Sequence, residues 1–106
     1  MSMTVGLCTV SLRLPENHSL KGKRQVLKSL IAKLHNRFNV SAAEVGNHES
    51  WQMAEVGVSC VSTDERHANQ VLSAVVAFIS SERLDAEIVG VETEVLHGIE
   101  GETGPG

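Results

Sequence analysis

The side chains in this chain best suited to chemistry are its cations, and they are gathered rather than scattered. Seven of the nine Lys and Arg residues lie between Arg13 and Arg37, with only Glu16 opposing them. From Val40 onward, twelve acidic residues face only Arg66 and Arg83. The net charge of −4 therefore conceals one basic segment in an otherwise acidic chain. Ser19 has the chemistry of a helix N-cap, and Lys21, Lys23 and Arg24 follow it directly. A helix start carries partial positive charge, so each exposed cation there costs about 0.3–1 kcal/mol. Positive charge placed against that cost suits anion binding, with backbone N–H groups and ammonium groups converging on a phosphate. Gly22 would let such a ligand approach the backbone closely. Arg13, Lys21, Lys23, Arg24 and Lys28 are the candidate phosphate contacts. The plainer alternative is a solvated helix face that keeps the protein soluble.

Catalytic chemistry has less to draw on. His18, His35, His48, His67 and His97 fall on loops, outward or flanking helix positions, or a strand end, without the clustering a metal needs. Cys8 and Cys60 lack metal-type spacing and read as buried reduced thiols rather than a disulfide. There is no Gly-rich phosphate loop and no nucleophile elbow. Glu87, Glu92 and Glu94 could serve as carboxylates, but acids on an edge strand also discourage strand-to-strand association. The expectation is a non-enzymatic protein with no cofactor or metal. No apolar run approaches bilayer length and no basic segment precedes an apolar one at the N-terminus, so a cytoplasmic protein without membrane contact is expected.

The elements that must hold these groups follow from periodicity. Thr4–Leu14 alternates as a strand, with Gly6, Cys8, Val10, Leu12 and Leu14 on its inward face. Leu20, Leu27, Leu30, Ile31 and Leu34 form a helical apolar stripe, extended by Phe38. Lys21 and Lys28 lie on an outward line, with Arg24 and His35 on its flank. Lys23 sits nearer the apolar side, where its stem could cover the core edge while its ammonium reaches out. Val40–Val45 and Trp51–Val61 read as a hairpin joined by a turn at Gly46–Ser50. Ser62-Thr63-Asp64-Glu65 is a capping-box pattern opening a second helix that runs to about Ser80. A loop at 83–86 leads to a last strand, Glu87–Leu96.

This β-α-β-β-α-β order predicts an α+β, ferredoxin-like domain over residues 3–97. It has a four-stranded antiparallel sheet and two helices on one face, followed by a disordered tail at 98–106. The other sheet face is left open. Its central strands offer Leu7, Thr9 and Ser11 beside Glu55, Gly57 and Ser59, which is no aromatic platform for stacking bases. Val5, Leu7, Trp51 and Met53 are instead the candidate apolar face for a homodimer or a protein partner.

Several runs carry a family resemblance: Met3-Thr4-Val5-Gly6, Leu14-Pro15-Glu16, Ser19-Leu20-Lys21-Gly22-Lys23-Arg24, Asn36-Arg37-Phe38-Asn39-Val40-Ser41 and Trp51-Gln52. Together they resemble the YlxP-like family of small bacterial proteins, over nearly all of Met3 to His97. The resemblance implies a ferredoxin-like fold and no established catalytic residue. It also implies a role in translation or ribosome maturation, because the family's genes typically lie beside those for translation initiation factor two and ribosome-binding factor A. RNA or a ribosomal subunit is then the expected partner. One departure stands out. Family members commonly carry Glu where this chain has Gly22, so the capping box with Ser19 is lost.

Overall fold

The computed structural model describes residues 3–82 and 86–98. Its elements are β1 (Thr4–Arg13), α1 (Leu20–Arg37), β2 (Ser41–Gly46), β3 (Met53–Ser62), α2 (Glu65–Ser81) and β4 (Glu87–His97). The strands form one antiparallel sheet in the order β2-β3-β1-β4. With β1 and β3 central and both helices packed into one core, this is the expected ferredoxin-like fold.

Two periodicities build the core. Every second residue of β1 (Cys8, Val10, Leu12) and of β3 (Ala54, Val56, Val58, Cys60) is buried. Leu27, Leu30 and Leu34 of α1 and Ala68, Leu72, Val75 and Ile79 of α2 close over that face at helical spacing. Each larger side chain so buried contributes about 1.5–3 kcal/mol. At the far end of α1 the rings of Phe38 and Phe78 meet edge to face, 5.8 Å apart, with the Arg37 guanidinium 5.0 Å from the Phe78 ring centre.

The register separates the two cysteines. Cys60 lies opposite Gly6 and Cys8 opposite Val58, and both thiols are free and buried. Burial pushes the Cys8 thiol above its ordinary pKa, and a hydrogen bond with Thr93 draws it partly back. Gly6 makes room here, since a Cβ on it would lie 3.0 Å from Leu72 Cδ1 and 3.1 Å from Cys60 Sγ.

Two boundaries differ from the sequence reading. The cap of α2 is Asp64, whose carboxylate accepts from His67 N at 2.8 Å. Ser62 lies two residues further out, at the end of β3 opposite Thr4, and its hydroxyl accepts instead from Asp64 N at 3.2 Å. At the C-terminal end, Gly98 donates its N–H to the Met3 carbonyl and so continues the β1–β4 pairing rather than starting a tail. The rest of the expected tail, 99–106, and most of the 83–86 loop lie outside the described residues.

Candidate functional site

Helix α1 contains no acidic residue, so any neutralisation of its cations comes from other elements. Three cations of the basic segment are met in this way. Arg13 pairs with Glu87, its Nη2 2.6 Å and its Nε 2.8 Å from one carboxylate oxygen, in an exposed bridge. Lys33 lies 2.8 Å from Glu82. Lys23 meets Glu44, in quite different surroundings.

Lys23 is the principal correction to the sequence reading. Its side chain is 1% exposed, and its ammonium reaches inward rather than out. Nζ donates to the carbonyls of Asn47 at 2.7 Å and Met53 at 3.1 Å, and more distantly to that of His48 at 3.5 Å. Glu44 Oε2 lies 3.1 Å away, a close charge contact rather than a well-aligned hydrogen bond. An ammonium with its three donors engaged inside the protein cannot contact a phosphate outside it. Lys23 therefore leaves the candidate set, and Arg13 remains only as a cation already shared with Glu87.

The contacts of Lys23 fix the turn between β2 and β3. Asn47 takes a left-handed conformation (φ 59°), which its short polar side chain tolerates, and its carbonyl also accepts from Ser50 N at 3.0 Å. The next contacts join this turn to the loop before α1. Leu14 N donates to Gln52 O at 2.7 Å, and Gln52 Nε2 donates to Pro15 O at 3.2 Å. Asn17 Nδ2 donates to both Trp51 O and Ser19 O.

Ser19 caps α1 as expected, accepting from Gly22 N at 2.9 Å. Gly22 has a different purpose from the one its sequence suggests. A Cβ there would lie 2.3 Å from Asn17 Oδ1, so the space above the glycine is taken by Asn17 rather than left for a ligand. A glutamate at 22 would have to displace the amide that ties the two loops together.

What stays outward is a line along α1. Lys21, Arg24 and Lys28 are exposed, and among the described residues none of them makes an ion pair. At 1.5 Å per residue the line runs about 10 Å, two turns of helix. His35 continues it one heptad further and is also exposed. Among the described residues no three His, Cys, Asp or Glu side chains are placed to hold a metal ion, and no helix is long and apolar enough to cross a membrane.

A family model described as a protein of unknown function, DUF503, matches residues 5–93. The uncharacterized protein YlxP of Bacillus subtilis (strain 168) is 41% identical over 63 residues, covering 59% of this chain and 68% of that protein. The chain belongs to this YlxP-like family. In this YlxP-like domain the runs that carry the likeness converge in space. The Ser19–Arg24 run and Trp51-Gln52 are joined through Asn17, Gln52 and Lys23.

The expected apolar face of the YlxP-like domain is divided. Val5 pairs with Val61 on one side and Leu96 on the other, making an apolar row across three strands. Met53 lies opposite Arg13, eight residues along β1 from Val5, or about 26 Å at strand rise. Trp51 precedes β3, on the turn next to α1. Val5 and Leu7 therefore belong to one end of the sheet, and Trp51 and Met53 to the other.

Proposed function

We propose that this domain is a cytoplasmic, non-enzymatic RNA- or ribosome-associated module that holds phosphate on the outward face of α1. One contrast carries the reading. Among the described residues, Arg13, Lys23 and Lys33 are met by Glu87, Glu44 and Glu82, whereas Lys21, Arg24 and Lys28 make no ion pair and lie on a single line. Such contacts position a nucleic acid without reading its sequence. The translation-related gene neighbours typical of the family support the same direction.

Co-sedimentation with ribosomal subunits tests this. With about three phosphates neutralised on a single strand, log K should fall against log salt with a slope of about −2, roughly 20-fold between about 50 and 200 mM. Lys21→Glu/Arg24→Glu/Lys28→Glu should not sediment with subunits at either salt. Equal sedimentation of that variant and the wild type would rule the surface out.

A second reading rests on the Val61–Val5–Leu96 row, in which Val61 is 67% and Leu96 43% exposed. That face is suited to a protein partner. Glu55, Glu92 and Glu94 occupy outward register positions of the same sheet face, opposite Ser11, Thr9 and Leu7. Two copies meeting face to face would bring these acids together, which favours a cationic partner over a homodimer. Light scattering at low salt should accordingly give the monomer mass, whereas a dimer lost in Val5→Asp would restore self-association through this face.

A further inference from the structure

We propose that Trp51 is a stacking platform for a base of single-stranded RNA whose phosphates lie along Lys21, Arg24 and Lys28. This rests on the phosphate-binding reading above and adds the class of nucleic acid. Trp51 is the sole tryptophan and is 55% exposed, an uncommon position for so large an apolar side chain. Its backbone is nevertheless held from several directions. Asn17 Nδ2 donates to its carbonyl, Ser50 Oγ accepts from Gln52 N and Met53 N just beyond it, and Lys23 grips the turn from inside. Among the described residues no ring or guanidinium stacks on the indole. A fixed backbone carrying an open aromatic face loses little freedom when a flat ligand stacks on it.

Position selects the ligand. The nitrogen that bonds Trp51 O also bonds Ser19 O, so one amide joins the backbone of Trp51 to that of the residue that caps α1. The exposed cations begin two residues later. An exposed aromatic side chain on the loop joined to a helix whose outward cations make no ion pair among the described residues fits a single strand, which offers an unstacked base and a phosphate backbone together. A duplex hides its base faces. The exposed acids Glu16 and Glu49 lie on the same two loops, so a polyanion is expected to run along α1 rather than across them.

The test uses the full chain, a fluorescein-labelled short polyuridine RNA, and the duplex of equal length. Without Tyr or a second Trp, intrinsic emission reports Trp51 alone. Polyuridine should quench it and the duplex should not. In anisotropy, Trp51→Ala should weaken polyuridine binding roughly 5- to 150-fold while leaving the salt slope unchanged, and Trp51→Phe should recover most of that loss. Removal of an exposed side chain should leave the circular dichroism and melting curve as they are, separating lost stacking from lost fold. If polyuridine binding vanishes in the Lys21/Arg24/Lys28 reversal but Trp51→Ala and emission are unaffected, stacking is overturned and the phosphate surface stands. If the wild type does not bind polyuridine, or the reversal binds it equally well, both fall.

Discussion

Replacing Lys23 with Met should cost about 3–5 kcal/mol of stability, the range for removing one member of a buried ion pair. Methionine keeps most of the lysine stem, so what disappears is the ammonium. Glu44 then holds a carboxylate oxygen without solvent contact and without its cation. The carbonyls of Asn47 and Met53 lose a donor, although Asn47 keeps Ser50 N. For a chain of this length the loss corresponds to roughly 13–22 °C in melting temperature. Urea unfolding of Lys23→Met, Glu44→Leu and the double variant measures the coupling. The double variant should regain about 1–2 kcal/mol over Lys23→Met alone, because it no longer buries an unpaired charge. Additive losses would show that the two groups do not support each other. The same variant separates the structural role from a functional one. Under native conditions Lys23→Met should bind RNA with the wild-type salt slope, since its ammonium faces three groups inside the protein.

Lys23 also shows where sequence reading works and where it stops. Its position was legible: 23, 27, 30 and 34 follow the spacing of a buried stripe, and Lys23 fills the first place in it. Its partner was not. Glu44 lies on β2 and the receiving carbonyls on the following turn and β3, so their meeting depends on how α1 crosses the sheet. Helix periodicity contains no such information. The strand faces were readable because alternation is a local property, and the sheet buries one face of β1 and β3. The apolar patch was misjudged for the opposite reason. Val5 and Met53 share a sheet face, but only the register reveals that they sit at opposite ends of it. Gly22 misled in a third way. Glycine marks a need for space, and the occupant of that space, Asn17, is set by the fold of the preceding loop.

Leu34→Ala should destabilise the domain about as much as Lys23→Met, by about 2–5 kcal/mol, through a different cause. Leu34 is fully buried on the same stripe of α1, eleven residues beyond Lys23. The helix packs over β2, where the small Ala42 is one of the residues seated against the core. Leu34 is wholly enclosed, so its neighbours would have to move to fill the space a leucine leaves. The backbone cannot readily follow either, because Leu34 O accepts from Phe38 N at 2.9 Å and the Phe38 ring is seated against Phe78. A cavity that stays open puts the loss in the upper half of the range. This loss should not change between low and high salt, whereas part of the Lys23–Glu44 coupling is electrostatic, though weakly screened in so buried a pair. The two sites are about 16 Å apart along the helix, so their effects should add within about 0.5 kcal/mol. Calorimetry and urea unfolding of both single variants and the combination would decide this. If Leu34→Ala costs under about 1 kcal/mol while Lys23→Met costs several, α1 is held on the sheet chiefly by its buried ammonium. Its apolar stripe would then be the lesser attachment.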